Sequence, residues 1–181
     1  KRIERAKKKL GWENKFIVLF VGRLVPEKGI RELLEAAKLW DKEITLVVIG
    51  TGPLAEEVKS VKNGNVLYLG KIDNDKLPLY YSASDLLIVP SVHEEGFGRV
   101  ILEALASGTP VIGADRGAIP EAMDESVGRL IKVTPVNIKN AVEYFYKNSD
   151  KLGKLSKNAR RFAEGRYSER NVETIIKAYK N

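Results

Sequence analysis

The feature that most constrains the fold of this chain is an alternation of short apolar runs with segments of helical periodicity. Residues 15–21 (KFIVLFV) and 43–49 (EITLVVI) are nearly continuous apolar runs, a pattern typical of strands buried on both faces. Between them, residues 30–40 carry apolar side chains at helical spacing. Strands that alternate with helices predict a parallel sheet with right-handed crossover connections.

The alternation continues along the chain. Further strands are predicted at residues 65–69, 85–89, 110–113 and 127–133. Further helices are predicted at residues 2–10, 53–61, 75–83 and 98–107, and from residue 136 to the end, with Gly153 and Gly165 as interruptions. We therefore expect an α/β fold: a Rossmann-like, doubly wound parallel sheet of about six strands with helices on both faces. The chain has 181 residues and no internal repeat or linker, so residues 1–181 are predicted to form a single domain.

Composition excludes several classes of protein. The chain has no cysteine and a single histidine, His93, which excludes disulfide scaffolds, thiol catalysis and Cys/His zinc sites. No apolar run approaches the roughly 18–20 residues that span a bilayer. We expect a cytoplasmic protein. The net charge of +7 permits an anionic partner. Nucleic acid is not expected to be that partner, because the basic residues are spread among many acidic ones rather than grouped with aromatic residues.

Candidate site residues follow the predicted strands, because ligands of open parallel sheets bind beyond the carboxyl ends of the strands. Gly22 follows the first strand and would let a ligand approach the backbone. Arg23 and Lys28, in the same loop, are residue types that bind phosphate, although two such charges are also ordinary for a surface loop. Residues 50–53 (GTGP) follow the second strand and are either a tight turn or part of a site, whereas Lys71 follows the third in what is otherwise a plain loop.

The segment after the fourth strand is the richest in candidates. Gly96 and Gly98 flank Phe97 where a helix is predicted to begin, and a helix start offers unpaired N–H groups to a phosphate. Glu95 lies just before this helix. Glu103 lies within it among apolar residues, so we expect Glu103 to be largely buried and to bind either a neighbouring arginine or a pair of vicinal hydroxyls.

Two common nucleotide-binding motifs are missing from the sequence. The pattern G-x-x-x-x-G-K-[ST] does not occur, and G-x-G-x-x-G does not follow the first strand. A Walker-type NTPase and a dinucleotide-binding domain are therefore not predicted.

Taken in order, these residues resemble the nucleotide-sugar-binding C-terminal domain of the retaining glycosyltransferases of family 4 (glycosyl transferases group 1). Those enzymes have the GT-B fold of two Rossmann-like domains. The matching segments are Gly22-Arg23-Leu24, Glu27-Lys28-Gly29, residues 50–53, Leu69-Gly70, Pro90-Ser91, Glu95-Gly96-Phe97-Gly98, Glu103-Ala104, and residues 109–112 and 117–121. Glu95 and Glu103 have the E-x7-E spacing of that family, and the resemblance extends from about residue 15 to residue 121.

The resemblance implies three catalytic residues and no metal. Arg23 and Lys28 would bind the diphosphate and stabilise the negative charge that develops on the leaving nucleoside diphosphate. Glu95 would hold hydroxyls of the donor sugar near its anomeric carbon. Glu94 competes for this role, and we choose Glu95 because it directly precedes Gly96.

The resemblance also implies the remaining substrate contacts. The backbone N–H groups of Gly96, Phe97 and Gly98 would contact the diphosphate and the sugar, with Gly22 beside them. Glu103 would bind the ribose hydroxyls, and the main chain around Lys71 would face the base. These six positions, with Arg23, Lys28 and Glu95, form the predicted site.

The implied activity is transfer of a hexosyl group from a UDP-, GDP- or ADP-linked sugar to a carbohydrate or lipid-linked acceptor, without a cofactor. A lipid-linked acceptor would place the protein at the membrane periphery. The N-terminal acceptor-binding domain of the family is absent from this chain, so we expect the chain alone to be inactive. Two alternatives remain open: a non-catalytic nucleotide-sugar-binding module and a domain like that of sugar-nucleotide epimerases.

Overall fold

The computed structural model describes residues 2–61, 64–94 and 98–167, and these contain one six-stranded parallel sheet. Its strands are β1 (Phe16–Val21), β2 (Ile44–Ile49), β3 (Val66–Gly70), β4 (Leu86–Val89), β5 (Val111–Ala114) and β6 (Gly128–Ile131). Their order in the sheet is β3-β2-β1-β4-β5-β6, and every neighbouring pair is parallel. The predicted doubly wound α/β fold is confirmed.

Helices cover both faces of the sheet. They are α1 (Arg2–Leu10), α2 (Ile30–Ala37), α3 (Ala55–Ser60), α4 (Leu77–Ala83), α5 (Arg99–Ala106), α6 (Ile119–Ala122), α7 (Pro135–Lys147) and α8 (Ser149–Tyr167). The short helix α6 and a 3₁₀ turn at Pro26–Lys28 were not predicted from the sequence. Gly153 and Gly165 do not interrupt α8, which corrects the sequence-based expectation. The last part of the predicted helical segment, residues 168–181, lies outside the described residues.

The central strands are buried on both faces, as their apolar runs predict. Because successive side chains of a strand point to opposite faces, each strand contributes to two cores. In β1, Val18 and Phe20 join the core beneath α2 and α7, whereas Ile17 and Leu19 join the core beneath α4 and α5. Both faces of the sheet are therefore covered at its centre.

The order of the strands creates a crevice at the boundary between β1 and β4. The helix that follows β1, α2, packs on one face of the sheet, and the helix that follows β4, α5, packs on the other. The two connections therefore leave the sheet edge in opposite directions. In doubly wound folds this switch point is where ligands bind.

Backbone contacts join the two loops that border the crevice. Gly29 has a φ of +67°, and a Cβ atom there would lie 1.8 Å from the carbonyl oxygen of Pro90. The carbonyl oxygen of Glu27 accepts a hydrogen bond from the N–H of Val92 at 3.0 Å. The loop after β1 is thus fixed against the loop after β4.

An ion pair anchors α1 at the opposite, amino end of the strands. The Nζ atom of Lys7 lies 2.6 Å from Oδ2 of Asp85, and both side chains are largely buried. The same carboxylate oxygen accepts the N–H of Ile17 at 2.7 Å, so Asp85 joins α1 to the start of β1. Burial raises the pKa of Asp85, and the ammonium of Lys7 opposes that rise.

The contact at Gly29 predicts a large loss of stability on substitution. Gly29→Ala forces a side chain into the Pro90 carbonyl, so we expect the free energy of unfolding to fall by at least about 2 kcal/mol. Gly11→Ala is the matched control, because Gly11 has the same φ of +67° with nothing within 4 Å of the added Cβ. It carries only the backbone strain, about 1 kcal/mol. Chemical denaturation of both variants measures the difference, and equal losses would contradict the role of the contact.

The ion pair at α1 predicts a pH-dependent effect. Lys7→Ala removes the cation that favours ionised Asp85, so the pKa of Asp85 rises further in the folded state while its unfolded value is unchanged. The stability that the variant loses is therefore smallest where Asp85 is protonated, and it grows as the pH rises through the folded pKa of Asp85. At neutral pH we expect a loss of about 1–3 kcal/mol.

Denaturant titrations of this variant between acidic and neutral pH provide the measurement. Lys8→Ala removes an exposed charge from the same helix and serves as the control. If the loss of unfolding free energy in Lys7→Ala stays constant over this pH range, the result would be inconsistent with the ion pair.

Candidate functional site

A cleft of about 370 Å³ opens at the carboxyl ends of β1 and β4, the switch point of the sheet. Its described lining residues are Phe20, Val21, Gly22, Arg23, Lys28, Ile88, Val89, Ser91, Gly98, Arg99 and Val100. The structure thus brings together four predicted site residues that lie far apart in sequence: Gly22, Arg23, Lys28 and Gly98. Apolar side chains form its floor, and the charged side chains among the described lining residues are all basic.

Two of these cations come from the loop after β1. Arg23 is exposed and follows the strand by two residues, whereas Lys28 is half-buried at the end of the 3₁₀ turn. Pro26 begins that turn, where its fixed φ and missing N–H are tolerated, and Gly29 ends it. The turn is what lets the Lys28 side chain reach the same cleft as Arg23.

The third cation, Arg99, was not predicted from the sequence. It is the first residue of α5 and lines the cleft directly after Gly98. A positive side chain at a helix N-terminus opposes the helix dipole, which is electrostatically unfavourable. That unfavourable placement was the sequence signal that could have identified it.

The loop between β4 and α5 is fixed at its start. The N–H of Val92 donates to Glu27, and the carbonyl oxygen of Val92 accepts from Nη1 of Arg116 at 2.6 Å. His93 and Glu94 follow as exposed residues. The predicted residues Glu95, Gly96 and Phe97 lie outside the described residues. The segment that holds them is bounded by Ser91 and Gly98, both of which line the cleft.

Glu103 corrects one prediction. The sequence predicts a largely buried carboxylate, but Glu103 is exposed. The buried residues of α5 are Ile101, Ala104 and Leu105, and Glu103 lies off this apolar stripe. It lies four residues after Arg99, so the two side chains share a face of the helix, one turn apart.

A tyrosine that sequence reasoning missed binds this carboxylate. The hydroxyl of Tyr81, near the end of α4, donates to Oε2 of Glu103 at 2.8 Å. Tyr81 is only 1% exposed. Burial and the hydrogen bond to Glu103 together raise the pKa of Tyr81, which keeps the hydroxyl protonated. Its position in α4, outside the strand-end loops, explains why it was not selected.

The glycines after β2 are explained by packing. A Cβ atom on Gly50 would lie 1.8 Å from the carbonyl oxygen of Gly22. The N–H of Leu24 donates to the carbonyl oxygen of Thr51 at 2.8 Å. Residues 50–53 therefore form a tight turn that supports the loop after β1, and they are not among the lining residues of the cleft.

Lys71 is not brought into the cleft. It is exposed and follows β3, which lies beyond β2 in the sheet. Its neighbour Ile72 packs against the core beneath α4 and α5, so the chain after β3 crosses toward the face that carries Glu103. The predicted contact of this segment with a base stays a prediction.

Neither a group of metal ligands nor a membrane-spanning helix is found among residues 2–61, 64–94 and 98–167. Within these ranges, no group of three or more histidine, aspartate or glutamate residues is placed to hold a metal ion. No helix in the described part of the chain is both long and apolar enough to cross a membrane.

Comparison with known proteins identifies the family. The family model for glycosyl transferases group 1 matches residues 2–162. The chain belongs to this family. Among curated proteins, a 2-deoxystreptamine glucosyltransferase of Streptomyces kanamyceticus is 35% identical over 143 residues, which cover 74% of this chain and 35% of that protein.

Solved structures agree with this assignment. The Anabaena protein Alr3699/HepE in complex with UDP-glucose superposes with a TM-score of 0.82 at 26% identity, over 97% of this chain and 52% of that chain. The C-terminal domain of a group 1 glycosyl transferase (LpcC) from Francisella tularensis superposes with a TM-score of 0.80 at 28% identity, over 93% of this chain and 94% of that domain. The chain thus spans 35% and 52% of these two longer relatives and 94% of an isolated C-terminal domain.

Proposed function

We propose that this chain is the donor-binding half of a retaining glycosyltransferase of the GT-B fold, which transfers a hexosyl group from a nucleoside diphosphate sugar to an acceptor. The observation that carries the proposal is the cleft at the switch point, where Arg23, Lys28 and the start of α5 converge. The similarity to HepE, whose structure contains UDP-glucose, supports a nucleotide-sugar ligand for this cleft. The similarity to a glucosyltransferase supports a hexosyl group.

The charges in the cleft suit a departing diphosphate. The sugar-linked diphosphate carries two negative charges, and its release adds up to about one more as the terminal phosphate becomes free. Arg23 and Lys28 match the two charges of the bound donor, and Arg99 supplies a third cation where the additional charge develops. Fixed cations and N–H groups at a helix start stabilise such charge without the reorganisation that water would need. We therefore propose that transfer needs no metal ion.

The helix geometry separates the phosphate and ribose contacts. Arg99 and Glu103 are one turn apart on α5, about 6 Å along the same face. A diphosphate beside Arg99 would place the attached ribose near Glu103, whose carboxylate accepts hydrogen bonds from the two hydroxyls. The base would extend toward the main chain around Lys71, and the sugar toward Glu95 and the backbone of Gly96 and Phe97.

We assign acceptor binding to a domain outside these 181 residues. The chain spans only 35% of the Streptomyces glucosyltransferase and 52% of HepE, which supports this assignment. The acceptor would be a carbohydrate, free or linked to a lipid. Sugar transfer by the chain alone is therefore not expected.

Titration calorimetry of the chain with UDP, GDP and ADP and with their glucose conjugates tests donor binding. We expect at least one of them to bind, and Arg23→Ala and Lys28→Ala each to weaken that binding by about tenfold or more, because each removes a charge-assisted phosphate contact. Lys42→Ala removes an exposed charge at the amino end of the sheet and is the control. Absence of binding by the whole panel would refute the proposal, as would equal losses for all three variants.

Metal removal tests the catalytic part of the proposal. In the complete protein, with labelled donor and an acceptor panel, we expect EDTA to leave the initial rate of sugar transfer unchanged, because Arg23, Lys28 and Arg99 supply the positive charge. Glu95→Ala should abolish transfer. A rate lost in EDTA and restored by Mg²⁺ or Mn²⁺ would contradict metal independence, and donor binding without any transfer would instead identify a non-catalytic module.

A further inference from the structure

The structure points to Tyr81 as the residue that positions Glu103 for ribose recognition, and we propose that it sets the preference of the site for ribonucleotides over 2′-deoxyribonucleotides. The inference rests on the proposed function, since it requires a nucleotide in the cleft. Tyr81 is a positioning residue: it contacts Glu103 and is assigned no contact with the ligand.

Tyr81 is itself held in place by contacts on two sides. Its hydroxyl donates to Oε2 of Glu103 at 2.8 Å, and its carbonyl oxygen accepts the hydroxyl of Thr109 at 2.6 Å. Thr109 is 2% exposed, and its N–H donates to Ala104 of α5 at 2.9 Å. Tyr81 thus links α4 to both the middle and the end of α5. These contacts hold its hydroxyl in one position.

The hydrogen bond from Tyr81 therefore restricts the rotamer of Glu103, although this side chain lies on an exposed surface. An exposed glutamate on a helix otherwise samples several rotamers, and ordering it when a ligand binds costs affinity. The Tyr81 hydroxyl can only donate to a carboxylate and occupies Oε2. The other oxygen, Oε1, and the remaining lone pairs are left to accept hydroxyl hydrogens from a ligand. A ribose offers two adjacent donors there, and a 2′-deoxyribose offers one.

The experiment compares ribonucleotide and deoxyribonucleotide binding in matched variants. The probes are the best-binding nucleoside diphosphate among UDP, GDP and ADP and its 2′-deoxy form, titrated by calorimetry. Tyr81→Phe keeps the buried ring and removes only the hydroxyl. We expect it to weaken ribonucleotide binding by about tenfold and deoxyribonucleotide binding much less, so that the ratio of the two affinities falls toward one.

One further variant is a control, and another is a second test. Tyr80→Phe removes a hydroxyl from the adjacent residue of α4, whose ring packs against Trp12 at 5.9 Å between centroids, and should leave the ratio unchanged. Glu103→Asp shortens an exposed side chain so that its carboxylate withdraws from Tyr81. It should lower the ratio as Tyr81→Phe does, and it supplies the test if the core substitution unfolds the protein.

The outcomes separate the inference from the proposed function. If the wild-type chain binds none of the nucleotides, the proposed function fails and the inference fails with it. Suppose that the wild type prefers the ribonucleotide. If Tyr81→Phe keeps that preference, or weakens the binding of both probes equally, only the inference is overturned. A preference lost in Tyr81→Phe and Glu103→Asp but kept in Tyr80→Phe supports it.

Discussion

The site depends on the backbone contact that joins the loops after β1 and β4. These two strands are neighbours in the sheet, but the helices that follow them pack on opposite faces, so the two loops lead to different helical layers. Gly29 against Pro90 and the hydrogen bond between Glu27 and Val92 supply that connection. They fix Arg23 and Lys28 relative to the segment that leads to α5. Cations that are preorganised in this way can stabilise a developing charge without a rearrangement of the site.

The fold was predictable because its signal is repeated in the central strands β1, β2, β4 and β5. Runs such as residues 15–21 and 43–49 bury both faces of a strand, and a pattern of this kind allows few arrangements other than a parallel sheet covered by helices. Smaller features were not predictable in the same way. Gly153 and Gly165 are exposed positions of α8, and the buried residues of the same helix offset the roughly 1 kcal/mol that each glycine costs.

The site was predicted in part, and its errors have physical reasons. Gly22, Arg23, Lys28 and Gly98 could be placed together because parallel strands end at one edge of a sheet. The burial of Glu103 was judged from the apolar composition of its helix, whereas burial depends on helical phase, which turns residues 99, 103 and 106 outward. Tyr81 could not be found from strand ends, because it reaches Glu103 through the packing of α4 against α5.

The most direct measurement is a crystal structure of the chain with a bound nucleoside diphosphate. The account predicts that the phosphates lie between Arg23, Lys28 and the first turn of α5, with the ribose hydroxyls at Glu103. A larger cavity of about 560 Å³, lined partly by Arg129, Tyr144 and Lys151, also offers positive charge. Phosphates bound there, with the cleft between β1 and β4 empty, would contradict the account.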